Sequence, residues 1–276
     1  MKRVKQRGKN LNLIIGGGII VVFLSVMIVS FFYTPYDPNG MDVSNKLQSP
    51  NKGNWLGTDD FGRDIFSRVM SGTKTAFLVG SIAVGIGLIF GTVIGSVAGY
   101  IGGWIDEIMM RIMDALMAFP GIILALMLVA VFGPGLVNTS IAIGLMTVPG
   151  IARIARSGFI QNKEFEYVLS AKLIGAKPLK IMFRHILPNV SSPLIVAASI
   201  GFATAMLAES GLSYLGLGVQ PPDPSWGRML KNSQTYMASA PWFTYAPGVA
   251  ITLMILGFYM LGNAIRDLSD PRSKNE

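Results

Sequence analysis

The sequence predicts an all-α membrane protein with six transmembrane helices. Three observations lead there. The first is composition: 51% of the 276 residues are hydrophobic and only 14% charged, well below the roughly one quarter charged in a soluble domain. The second is the run length of uncharged sequence. Residues 13–32, 76–105, 115–152, 186–208 and 237–265 carry no Asp, Glu, Lys or Arg, and a span needs about 20 mainly apolar residues. The run 115–152 is long enough for two. The third is where the basic residues fall. If the N-terminus is inside, Lys2, Arg3, Lys5, Arg7, Lys9, Arg111, Arg153, Arg156, Lys163, Lys172, Lys177, Lys180, Arg184, Arg266, Arg272 and Lys274 lie on the cytoplasmic side. Lys46, Lys52, Arg63, Arg68, Lys74, Arg228 and Lys231 lie outside. Sixteen against seven is the asymmetry of the positive-inside rule.

The six expected helices are 12–33, 77–101, 108–132, 136–154, 190–213 and 243–264. Both termini are then cytoplasmic. The first apolar core is too long for a signal peptide, and no small-x-small cleavage site precedes Phe31, Phe32 and Tyr33. It reads as an uncleaved anchor. The net charge of +8 is accounted for by topology. No basic stripe interleaved with aromatics points to nucleic acid. With no cysteine and the single His185, disulfides, thiolate metal sites and multi-histidine sites are excluded.

Residues 34–75 form the one long outer loop. Thr58 or Asp59 is expected to cap a helix there. Phe61, Ile65 and Val69 would line one face, Asp64 and Arg68 would pair at i, i+4, and the helix would lie on the outer membrane surface. Asp59, Asp60 and Asp64 lack the alternating oxygen spacing of a calcium loop. The second span carries Ala83, Gly87, Gly91, Gly95 and Gly99, each four apart. This small-xxx-small row admits a close helix neighbour, either in this chain or in a partner. Phe119-Pro120-Gly121 predicts a kink in the third span, with Arg111 and Asp114 placed to pair. Pro149-Gly150 interrupts the fourth and reads as a hinge or as a helix end adjusting to packing. Glu209 is an ionisable residue deep in the fifth span. Such a residue must face protein or water, so it is a candidate for the translocation path or a structural acceptor for Ser210 or backbone amides. Trp226 reads as an interfacial anchor.

Between the fourth and fifth spans lies a polar, basic island, 164–188. It reads as a short helix, a turn and a second short helix. Phe165, Leu169 and Leu173 make an apolar stripe at i, i+4, i+8. Gly175 sits where a helix end wants a left-handed residue, and Pro178 suits the first position of the next helix. A cytoplasmic helical finger of this kind suits a groove on a soluble partner.

Here the chain resembles the inner-membrane permease subunits of ATP-binding-cassette importers. That family's loop reads Glu-Ala-Ala, three residues, Gly, nine residues, then a hydrophobic-x-Leu-Pro ending. This sequence has Leu169-Ser170-Ala171, Gly175 and His185-Ile186-Leu187-Pro188 at the same spacing, with Leu169 and Ser170 replacing the Glu and first Ala. The segment WLGTDDFGRDIFSRVMSGTKTAF from Trp55 and the run from Gln220 to Gly227 resemble one subfamily, the second permease subunit of dipeptide, oligopeptide and nickel importers. The resemblance covers about 55–267.

It implies an importer-type permease fold with a cytoplasmic coupling helix. An N-terminal unit, 1–75, would hold the tail, first helix and outer amphipathic loop. A five-helix core, 76–276, would carry the coupling loop 153–188. The implied coupling residues are Glu166, Tyr167, Leu169, Ser170, Ala171, Gly175, Ala176, His185 and Pro188. Glu166, one turn before Leu169, is the candidate for the displaced acidic role. Implied partners are a homologous permease subunit, two ATP-binding subunits, an extracellular or periplasmic solute-binding protein and membrane lipid. The resemblance also implies the cell membrane as location, no cofactor, and short peptides as cargo, with nickel or a metal chelate as the alternative. Gly72-Thr73-Lys74-Thr75 is not a phosphate-binding loop, so ATP hydrolysis is expected in separate subunits. A secondary transporter or channel is the more remote alternative, since only Glu209 is clearly ionisable at membrane depth. No Ser/His or H-E-x-x-H constellation supports an intramembrane enzyme.

Overall fold

The computed structural model describes residues 2–269, with side chains from 11 to 268. Lys2, Arg3, Lys5, Arg7, Lys9, Arg272 and Lys274, all used in the charge asymmetry, carry side chains outside the described residues. Ten α-helices follow one another: α1 (Lys2–Phe32), α2 (Ile65–Ile101), α3 (Gly103–Met117), α4 (Gly121–Phe132), α5 (Leu136–Asn162), α6 (Glu166–Leu173), α7 (Pro178–Ile181), α8 (Leu187–Leu215), α9 (Trp226–Ser233) and α10 (Pro241–Ser269). Among the described residues there is no strand, only an isolated bridge between Thr58 and Asp64.

Among the described residues, five stretches are long and apolar enough to cross a bilayer: Leu11–Phe32, Ile65–Ile101, Leu136–Asn162, Pro178–Leu215 and Pro241–Leu268. The pair α3 and α4 is bent by 86° at its break and supplies a sixth if taken as one span. The expected kink at Phe119-Pro120-Gly121 is thus a full break. Pro120 leaves the helical region at ψ 126° and starts α4 anew. By contrast, α5 runs unbroken through Pro149 and Gly150.

The glycine row of α2 packs within the chain, against α5. A β-carbon at Gly87 would lie 2.2 Å from Thr147 Oγ1, and one at Gly95 would lie 2.1 Å from the Ala152 carbonyl. Gly91 and Gly99 face Ile151 and Arg156 in the same way. Ala83, one step earlier, is fully buried with Ala142 and Ile143. Such contact lets dispersion act along the paired stretch of the two helices. Helix α1 closes on α10 by a similar device, Gly16 lying under Met260 and Gly257 under Ile19. Helix α8 packs against α2, α5 and α10. Phe202 stacks on Phe258 at 4.0 Å, with Phe77 beside both.

Several local expectations are corrected. No separate surface helix forms in the 34–75 loop. Asp64, not Thr58 or Asp59, is the cap: its carboxylate accepts from the Ser67 amide and hydroxyl, each at 2.7 Å. The helix so started continues into the membrane, because nothing between Ile65 and the uncharged run breaks it. It therefore crosses position 75, where the sequence reading divides the chain. Phe61 lies before this helix, half-exposed under Arg63, while Ile65 is fully buried. Arg68 turns away from Asp64 to Asp59, at 3.6 Å, and donates to the Pro38 carbonyl. Asp59 also accepts from the Phe61 and Arg63 amides and pairs with Arg63 at 2.7 Å. Burial pushes the Asp60 carboxyl up from its usual range, and the neighbouring Asp59 charge adds to this. Arg111 pairs with Glu107 rather than Asp114, which reaches Arg153. Trp226 is no interfacial anchor. It is 1% exposed, donates to the Val69 carbonyl at 3.0 Å and covers Gly72.

The seam yields a contrast between two glycines of one helix. Gly95→Ala forces α2 off α5 and costs about 1–3 kcal/mol by overpacking. Gly85→Ala, with nothing within 4 Å of its β-carbon, is neutral or slightly stabilising. Thermal unfolding of the two variants in detergent distinguishes them, and equal midpoints would contradict the seam.

Candidate functional site

At the end of α5 the chain leaves the bundle as a helical finger. Phe165, extended at φ −73°, ψ 147°, precedes α6, and Glu166 occupies the first turn, where a carboxylate suits the helix dipole. Gly175 ends the turn at φ +76°, a conformation a β-carbon penalises. A β-carbon there would meet nothing within 4 Å, so the constraint is on the backbone and not on space. Pro178 opens α7 as expected. The second short helix is not a separate piece. It passes through a π-helical turn, Met182–Ile186, directly into α8. That wide turn has a reason in the sequence. Pro188 supplies no amide and would crowd the carbonyl one turn back, and a widened turn relieves the clash.

The finger has a buried root and an exposed tip. Val168, Ala171, Ile181, Met182 and Ile186 pack with Ile151, Ala155, Phe159, Val190 and Leu194. Tyr167 adds a polar tie: its hydroxyl donates to Asn162 at 2.8 Å and accepts from Asn189 at 3.0 Å, joining α5 to α8. Its root is braced from the membrane side. Arg156 of α5 grips Asp106 of α3 through two bonds of 2.5 and 2.7 Å, and Lys163 caps α2 through the Gly99 carbonyl at 3.1 Å.

The residues singled out from sequence divide into two groups. Glu166, Leu169 and Ser170 face outward, as do Phe165 and Leu173 of the apolar stripe. Ala171 faces inward, and Ala176 is half-buried with its amide donated to the Ala171 carbonyl. His185 sits half-buried in the π turn, its carbonyl taking the Asn189 amide group. Pro188 is exposed. Sequence reasoning missed Ile174, Leu179 and Phe183, which are 85%, 66% and 61% exposed and extend the apolar tip. Their signal was there: large apolar residues flanking Gly175 in an otherwise basic island.

Glu209 lies at the other end of α8 and is 2% exposed. Ser213 and Ser225 donate to its Oε1 at 2.7 and 2.8 Å. The Ser213 oxygen in turn accepts from the Val219 amide. The acceptor reading from sequence named Ser210 or backbone amides; Ser213 and Ser225 make the short bonds to Oε1, and the Ser210 hydroxyl adds to the set around the carboxylate. Gly216 ends α8 at φ +89°, and Gly227 lies against the Ser210 carbonyl, where a β-carbon would sit at 2.2 Å. Together these bonds fold the segment 216–225 back onto the helix end.

Residues 91–275 match the family described as binding-protein-dependent transport system inner membrane component. The chain is 45% identical to a dipeptide transport system permease protein of Alkalihalophilus pseudofirmus, covering 98% of this chain and 89% of that one. It is 43% identical to a glutathione transport system permease protein of Salmonella typhimurium, over 95% and 86%. It is 39% identical to a probable D,D-dipeptide transport system permease protein of Escherichia coli, over 92% and 86%.

The Glu209 knot is open to direct test. Val219 is 1% exposed and the chain has no cysteine, so the single thiol of Val219→Cys is expected to resist thiol reagents. Adding Glu209→Ala strands two buried hydroxyls at a cost of about 1–3 kcal/mol and exposes that introduced thiol to labelling. Adding Glu209→Gln instead keeps an acceptor oxygen and keeps the thiol protected.

Proposed function

Because this chain belongs to the family of binding-protein-dependent transport system inner membrane components, we propose that it is the permease subunit of an ATP-driven importer of short peptides. The observation that carries this reading is the finger. A root packed into the bundle holds an apolar tip, with Leu173 and Ile174 standing clear of their own chain and Phe165 and Leu169 about half exposed beside them. Exposed apolar side chains on a firmly mounted short helix suit the groove of a partner. The partner that fits is an ATP-binding subunit, two of which would serve the complex.

In this reading the finger and both termini are cytoplasmic. The loop 33–64 and α9 lie outside, facing a solute-binding protein. A second, homologous permease subunit completes the pathway, and ATP-driven closure of the ATP-binding pair is passed to the spans through residues 164–187. The chain itself performs no hydrolysis. The peptide substrates in the relatives' names favour peptides over nickel as cargo. Glu166, with Leu169 in place of the family's acidic residue, supplies the charged contact at the finger, and Gly175 fixes its turn. Glu209 serves to hold the outer end of α8 by the bonds described above.

Co-reconstitution with the two ATP-binding subunits, the second permease and the solute-binding protein tests the reading. Labelled dipeptide is expected to enter vesicles only with ATP and with all subunits. Uptake of nickel but not of peptide would overturn the cargo assignment. Leu173→Ser with Ile174→Ser is expected to leave the bundle folded and to weaken ATPase-subunit association about a hundredfold or more, since each side chain forfeits about 1.5–3 kcal/mol of burial. Glu166→Ala weakens it less. Orientation is read by single-cysteine variants: an impermeant reagent added outside labels Asn51→Cys and spares Ile174→Cys. The reverse pattern refutes the topology.

A further inference from the structure

Between α1 and α2, at the end of the bundle that carries α9, a groove of about 590 Å³ opens. Its mouth is charged. Lys74 of α2 and Asp223 of the 216–225 segment both line it. Neither forms an ion pair among the described residues. The Lys74 ammonium instead rests 4.7 Å above the Phe31 ring, near the end of α1. Two unneutralised charges of opposite sign thus share one opening without closing on each other.

The depth of the groove is equally informative. Lys74 is the last charged residue before the uncharged run of α2, so it marks the edge of the hydrocarbon layer. Ser81, also in the lining, lies seven residues further along the helix, about 10 Å deeper at 1.5 Å per residue. Along that length the walls are mainly apolar, with Leu24 and Met27 on α1 and Phe77 and Leu78 on α2, and only the hydroxyls of Thr75 and Ser81 break them. Leu78 is 49% exposed and Phe31 64%, so the groove is open to the side and not sealed in the bundle.

We propose that this groove is a binding site for an aminophospholipid, its phosphate on Lys74, its ammonium on Asp223 and an acyl chain between Leu24, Met27 and Leu78. A single charge would select acidic or basic headgroups without distinction among them. Two separated charges of opposite sign select a zwitterion, and the Asp223 carboxylate favours a primary ammonium, which donates hydrogen bonds to it, over the quaternary ammonium of a choline headgroup, which has none to donate. A free peptide is also a zwitterion and shares the headgroup chemistry. The apolar walls running below the charges favour the lipid, because a peptide would leave them wet. The site stands independently of the cargo and of the finger.

Native mass spectrometry of the assembled transporter, released from membranes of mixed phosphatidylethanolamine, phosphatidylcholine and phosphatidylglycerol, tests it. The parent complex is expected to retain phosphatidylethanolamine over each of the others by about fivefold, as an interfacial ion pair allows. Asp223→Asn should erase the preference over phosphatidylglycerol. Lys74→Gln should lower retention of all three, and Lys74→Arg should restore it, which separates lost binding from lost folding. Retention without headgroup preference, or a preference unchanged in Asp223→Asn and Lys74→Gln, overturns the proposal. Displacement of the lipid by a dipeptide added in solution would make the groove a peptide site and overturn it too.

Discussion

The seam between α2 and α5 is the contact on which the rest of the structure depends. It exists because Gly87, Gly91, Gly95 and Gly99 present bare backbone at every fourth position. In lipid there is no hydrophobic gain for one apolar helix meeting another, so close packing must supply the attraction. Everything at the finger end is mounted on α5 once it is held this way. Arg156 and Arg153 leave α5 to fix α3. Phe159 leaves it to anchor the root of the finger. Lys163 returns from its end to cap α2. Loosening the seam would loosen all of these at once.

The large features were legible in the sequence because their causes are local. An uncharged run of span length needs no tertiary information to be recognised, and neither does a Gly at a helix end followed by Pro at the next helix start. The glycine row was legible as a packing face, but its partner was not, since α5 carries no matching small-residue row. What failed was long-range. Arg68 has two acidic residues within reach along the chain, Asp64 and Asp59. Only the fold of the loop decides that Asp64 is spent on the helix cap and Arg68 turns to Asp59. Trp226 followed the rule that Trp sits at interfaces, and that rule lost to a bare Gly72 that made room for an indole inside. Arg111 and Asp114 likewise chose partners one turn back and on another helix.

At the finger, the sequence reading named one segment and mixed two kinds of residue in it, buried and exposed. Spacing alone cannot tell Ala171, which the root buries, from Leu169, which the tip displays. The distinction comes from the direction in which α5 delivers the chain. The π turn was also invisible as such. Its cause, Pro188, was in plain view, but a proline beginning a helix and a proline widening one leave the same letter. Only the continuity of α7 into α8 separates them.

That continuity has a mechanical consequence for the proposed importer. From Pro178 to Leu215 the chain is one helical path of 38 residues, about 57 Å at 1.5 Å per residue. One end is clamped in the finger root through Ile181, Met182 and Ile186. The other is clamped by Glu209, which holds Ser213 and Ser225 together. A displacement imposed at the finger by a partner therefore reaches the far face along a single rod. It need not diffuse through side-chain rearrangements. The rod has two places where its hydrogen-bond ladder is weakened, the π turn and Pro193. Both lie on the finger side of its midpoint. Bending there would take up part of a swing of the finger, and the rest would tilt the helix about its Glu209 end. A clamp of three hydroxyl and carboxylate groups at the far end, where the helix must not slip, and a softened ladder near the finger, where it must yield, is the arrangement a rocking mechanism requires.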